Sequence, residues 1–154
     1  MNRLAPLVAT LVIACSSDST APQSTPQFPR AFTSLSTSCI ERLGFQQVGP
    51  DLFVQLTELF LTEASTEVLF AGNASVLFSD TVDIAGELVG EENRGVYMPS
   101  AIDGTWEVTL TDGPEVDSFV ATGSGTGDLS ARSIDFDMEP LSEGCGFISS
   151  GTIR

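Results

Sequence analysis

The chain reads as an all-β domain, an antiparallel β-barrel or sandwich built as a meander of about eight strands. Two observations carry this reading. Apolar residues recur at every second position in several segments, and clusters of Gly, Asn, Asp and Pro punctuate the chain at the short intervals that hairpins need. The clearest alternations set Trp106, Val108 and Leu110 against Thr105, Glu107 and Thr109, and Ile134, Phe136 and Met138 against Asp135, Asp137 and Glu139.

Taken in order, the first element is ambiguous. Between Asp51 and Glu63 the apolar residues Leu52, Phe53, Leu56, Leu59 and Phe60 fit one helical face with Asp51 as N-cap, while Leu52, Val54 and Leu56 fit a strand. The β-prone surroundings favour the strand. Further strands are expected over 67–70, 74–78, 82–89, 95–98, 105–110, 118–123, 134–139 and 147–153. Turns fall between them at Ala71-Gly72-Asn73, Glu91-Glu92-Asn93-Arg94, Asp112-Gly113-Pro114, the glycine-rich 123–128, and Gly144 beside Cys145.

The amino terminus gives an address. A lone cation at Arg3 precedes an apolar run of eleven residues from Leu4 to Ala14, which ends in a small residue directly before Cys15. A transmembrane helix needs about 20 such residues, so this run is too short to span. It resembles a bacterial lipoprotein signal peptide, with Val12-Ile13-Ala14-Cys15 as the lipobox. The resemblance implies that Cys15 receives a diacylglycerol on sulfur, becomes the mature amino terminus and takes a further acyl chain such as palmitate. Ser16 at the next position implies outer-membrane sorting. Residues 1–14 are then the signal peptide and residues 15–29 the lipidated cysteine and a Ser/Thr/Pro/Gln tether too polar to fold alone. Residues 30–154 form one domain. Within it, Gly104-Thr105-Trp106 and the glycine-rich turns resemble the β-meander domains of bacterial lipoproteins. A Gly-x-Trp opening also occurs in lipocalins and avidin-like barrels, but near the start of the domain, so no ligand site carries over.

With Cys15 acylated, Cys39 and Cys145 remain as an even pair in an oxidising compartment and are expected to form a disulfide. Closing a loop of about 100 residues is worth roughly 4 to 5 kcal/mol in the chain-entropy model. In a barrel meander the first and last strands are neighbours, which brings the two cysteines to the seam.

Composition excludes several functions. Twenty-one acids against six cations give a net charge of −15. That field repels phosphate backbones, so nucleic acid is not a partner, and it disfavours docking on anionic lipid, so membrane contact is through the acyl anchor. The chain has no histidine and no lysine, which removes Ser-His-Asp, Cys-His and Ser-Lys nucleophile systems and histidine-based zinc sites. No cofactor is expected. A glycosidase built on two carboxylates survives as an alternative, but Asp135 and Asp137 alternate with apolar residues and belong to a solvent face. Asp112, Glu115 and Asp117 cluster around a turn and are the calcium candidate, without EF-hand spacing, so a solvated hairpin is the expectation. Trp106, the single tryptophan, is expected in the core, with ligand stacking as the alternative. The sum is a lipid-anchored, monomeric envelope lipoprotein that binds or supports rather than catalyses, its protein or small-molecule partner unassigned. The main alternative is a carrier holding a small apolar ligand in the barrel interior.

Overall fold

Eight strands, each paired antiparallel to the next in sequence, close into one up-and-down barrel in the computed structural model, which describes residues 27–154. The strands are β1 (Arg30–Gln47), β2 (Leu52–Ser65), β3 (Gly72–Asp83), β4 (Leu88–Pro99), β5 (Trp106–Asp112), β6 (Phe119–Gly125), β7 (Ser133–Pro140) and β8 (Phe147–Ile153). β8 returns to pair with β1 from Arg30↔Ile153 to Leu35↔Ile148, so closure selects the barrel over the sandwich. The segments expected as signal peptide and, in most of its length, as tether, together with Cys15, lie outside the described residues.

An eight-stranded barrel is just wide enough to be filled by side chains, and this one is filled. Phe32, Phe70, Tyr97 and Phe136 form an aromatic cluster at its centre, with ring centroids 4.4 to 5.9 Å apart. Trp106 is fully buried below them and donates its indole N–H to the carbonyl of Leu69 at 2.7 Å. Large inward residues alternate with small ones along the row Val76-Gly95-Val108-Gly123-Ile134. A Cβ at Gly151 would collide with Phe136, so glycine here is what lets β7 and β8 close around the rings.

Several local expectations are corrected by this packing. Segment 123–128 is not one turn: Gly123 and Gly125 belong to β6 as inward positions, and only Gly127–Leu129 forms a 3₁₀ turn, whose Leu129 plugs the lower end. Segment 67–70 is a turn rather than a strand, because its apolar Phe70 folds back into the barrel end instead of pairing along a wall. The stretch 82–89 is two strand ends around a hairpin, where the Asp83 carboxylate accepts the backbone N–H groups of Ala85 and Glu87 at 2.8 and 2.9 Å. Glu91 to Arg94 lies inside β4, and Gly72 and Asn73 open β3. Segment 51–63 is strand, within β2. The longest strand, β1, has no counterpart in the sequence reading.

The strands are unequal in length, and this gives the molecule its shape. At the end where β5 to β8 stop, β1 to β4 continue as a four-stranded projection. β4 pairs with β5 only from Asn93 to Tyr97, and β1 leaves β8 at Leu35.

Candidate functional site

Two features stand out from a plain barrel: a buried carboxylate inside it and the projection beyond it. Glu63 is on β2 with its side chain on the same face as Leu59 and Leu61, which places it in the interior. Ser34 donates to one carboxylate oxygen at 2.6 Å and Ser36 to the other at 2.7 Å. Ser36 also accepts the backbone N–H of Phe147 at 3.0 Å, tying the carboxylate cluster to the seam between β1 and β8. Ser149 faces the same interior, fully buried and without a hydrogen-bond partner among the described residues. Tyr97 donates its hydroxyl to the Met138 sulfur at 3.5 Å.

Burial raises the Glu63 carboxyl above the ordinary carboxylate range, and the two serine hydroxyls only partly oppose that. The Tyr97 hydroxyl is raised too, by burial and then by the charge on Glu63. Glu63 therefore binds its proton more tightly folded than unfolded. Its contribution to stability is complete below the unfolded carboxylate range and is lost as pH rises through the raised folded value. Glu63→Gln keeps the shape and removes the titration. The expected result is a melting temperature that falls less steeply from mildly acidic to neutral pH than in the unaltered protein, measured by calorimetry. Parallel curves would contradict the assignment.

The projection is built differently. Its inner face, read across the ladder, carries Leu43, Thr57, Phe78 and Asn93, then Phe45, Gln55, Asp80 and Glu91, then Gln47, Phe53, Val82 and Leu88. Phe78 meets Phe119 at 4.8 Å and closes the barrel mouth, whereas Phe45 and Phe53 stack at 5.3 Å farther out, beyond the core. The outer face carries Ile40, Leu56 and Phe60, with Arg42 lying over the Phe60 ring at 4.9 Å. On the outer wall an open groove of about 660 Å³ runs across the paired stretch of β4 and β5, bordered by Glu58, Glu92, Arg94 and Glu107.

Comparison with known proteins finds no match among family models, curated proteins or solved structures. Any functional assignment therefore rests on this geometry.

The residues singled out by sequence fall into place as follows. Cys39 and Cys145 are joined, with Cα atoms 5.8 Å apart, and tie the β7–β8 loop to β1. Trp106 is a core residue, enclosed on all sides. Asp112, Glu115 and Asp117 sit exposed around a turn that Ser118 organises by donating to the Glu115 carbonyl at 2.8 Å and accepting its N–H at 3.0 Å. Among the described residues no three acidic, cysteine or histidine side chains gather as a metal site, these three included. Asp137 is exposed, and Asp135 pairs with Arg154 on the outer wall, so neither carboxylate faces a cleft. Cys15 lies outside the described residues. Sequence reasoning missed Glu63, Ser34 and Ser36. The signal was present in the alternation Leu59, Leu61, Glu63, which puts a carboxylate on an inward face.

Proposed function

We propose that the protein is a lipid-anchored component of a bacterial envelope that works by binding, with the filled barrel as a rigid mount and the projection of β1 to β4 as the binding element. The observation that carries this reading is the set of large apolar side chains left exposed on the projection, Ile40, Leu43, Phe45, Leu88 and Val89 among them, beyond a core that is already packed. They lie on both faces and both edges of the projection, Leu43, Phe45 and Leu88 on its inner face and Ile40 on its outer face, and exposed apolar side chains concentrated on one element mark it as the place of interaction. β1 starts at the barrel end opposite the projection, so a tether attached before Arg30 would leave the projection unobstructed by the anchor. The reading of a carrier with a hollow interior finds less support, because the aromatic cluster and Trp106 occupy that volume.

One experiment has two readouts. Cys15→Ser should move the protein from the detergent phase to the aqueous phase on partitioning, and unchanged partitioning would remove the anchor. In the same preparation, titration with a fatty acid or an apolar dye should leave the emission of Trp106 unchanged, since binding is confined to the projection. A saturable one-to-one change in that emission would favour the carrier.

A further inference from the structure

The projection has two open backbone edges, and they are unlike each other. Among the described residues, β4 has no partner on its outer side from Leu88 to Glu92, and β1 has none from Ile40 to Gln47. Residues 36–39 of β1 are covered by the loop that holds Cys145. An unpaired edge is a template for another strand unless charge, proline or a bulge blocks it. The β4 edge is blocked: Glu91 and Glu92 lie on it and Glu87 adjoins it. The β1 edge is not. It has no proline, its single acid Glu41 is followed by Arg42, and its apolar residues stand out, with Ile40 63%, Leu43 78% and Phe45 65% exposed.

We infer that β1 pairs with β1 of a second copy of this chain, antiparallel and centred on Gly44. The register follows from side-chain chemistry. Two copies that continue one sheet about a two-fold axis must place inner-face residues opposite inner-face residues, so the axis falls on a residue rather than between two. An axis on Glu41 or on Arg42 opposes like charges, which is unfavourable. An axis on Leu43 sets Glu41 against Phe45, and one on Phe45 sets Leu43 against Gln47. An axis on Gly44 sets Leu43 against Phe45, Arg42 against Gln46, Glu41 against Gln47 and Ile40 against Val48. Apolar meets apolar and each charge meets a neutral amide. Leu43 and Phe45 from both copies then form an apolar strip on the inner face, flanked by the Phe53 ring that stacks on each Phe45. The charged β4 edges lie at the outside and stop further growth, so the product is a closed dimer and not a filament.

Nine residues a side is less than the twenty to thirty of a standard interface. The affinity is therefore micromolar rather than nanomolar, and because each copy carries a charge of −15, added salt strengthens it. The sequence alone leads to a monomer, and the open β1 edge leads to a dimer. The proposal rests on the projection being the binding element, and it names the partner of that element.

The test is single-cysteine cross-linking in the full chain under mild oxidation. Facing residues of an antiparallel pair have Cα atoms about 4.5 to 5.5 Å apart, within disulfide range. G44C should give a covalent dimer at least tenfold above the unaltered protein on a non-reducing gel. R42C alone and Q46C alone should remain monomeric, whereas R42C and Q46C expressed together should cross-link to each other. Sedimentation velocity of the unaltered chain should show a concentration-dependent dimer, with a several-fold larger dimer fraction in higher salt and loss of the dimer in a Leu43→Lys, Phe45→Lys double variant. A monomer at all concentrations overturns the inference, as does a dimer that survives the double variant or cross-links in another register. These results judge the edge alone. The Trp106 readout judges the filled barrel, so the two failures are distinguishable.

Discussion

Phe136→Ala should be among the most damaging single substitutions in the domain, costing about 3 to 5 kcal/mol as a large-to-small change in a closed core. The Phe136 ring packs edge-on against Phe32, Phe70 and Tyr97, at 5.9, 5.2 and 5.4 Å, so its removal takes three aromatic contacts as well as its own buried area. The surrounding strands cannot relax inward to refill the space, because a closed ladder fixes the barrel circumference. Folded domains are stable by only about 5 to 15 kcal/mol, and a loss of this size lowers the melting temperature by roughly 10 to 20 °C. Val116→Ala, at an exposed turn, is the control and should change stability by no more than about 0.5 kcal/mol. Calorimetry or chemical denaturation measures both. Equal, small effects at the two positions would mean that the interior is not packed as described.

How far the fold was legible depended on whether each strand has one buried and one wet face. Where it does, alternation reads directly: β8 has the expected limits, and Ile134, Phe136 and Met138 are buried on β7 as their spacing requires. β1 failed this test for two physical reasons. Its inward positions after Phe32 are Ser34 and Ser36, placed there to hydrogen-bond Glu63, so the pattern looks polar throughout. The register then shifts between Ser36 and Ser38, which exchanges the odd and even positions and destroys any period of two along the whole segment. The projecting half of β2 mimicked a helix for a related reason. Both of its faces carry apolar residues, Phe53 and Leu59 on one and Leu52, Leu56 and Phe60 on the other, so their combined spacing imitates a helical stripe.

The candidate site divides the same way. Cysteine counting found Cys39 and Cys145 because a pairing rule needs only parity and compartment. The projection was not legible, since it exists through the difference in length between β1–β4 and β5–β8, and strand length beyond a barrel wall has no compositional signature. Its apolar residues would have been assigned to the core by any reading that assumes apolar means buried.

Loss of the Cys39–Cys145 bridge is the other change expected to be large. The two residues are 106 apart in sequence, and closing such a loop removes about 4 to 5 kcal/mol of freedom from the unfolded chain in the entropy model. The bridge also sits where the barrel is least tied. β8 leaves β1 after Leu35, and just past that point the covalent link and the Phe147 N–H bond to Ser36 hold the β7–β8 loop against β1. Without the link, opening at the seam exposes the Glu63 cluster to water, so the damage includes local unfolding of β1 and β8 as well as a global loss. Cys39→Ser, Cys145→Ser and the double variant should all melt at least about 10 °C lower than the oxidised protein, and the double variant should lose no more than either single one, because the three remove the same interaction. Reduction of the unaltered protein should give the same melting temperature, with faster amide exchange along β1 and β8. Unchanged melting on reduction, or two reactive thiols at 39 and 145 in protein recovered from an oxidising compartment, would show that the seam is held by its hydrogen bonds alone.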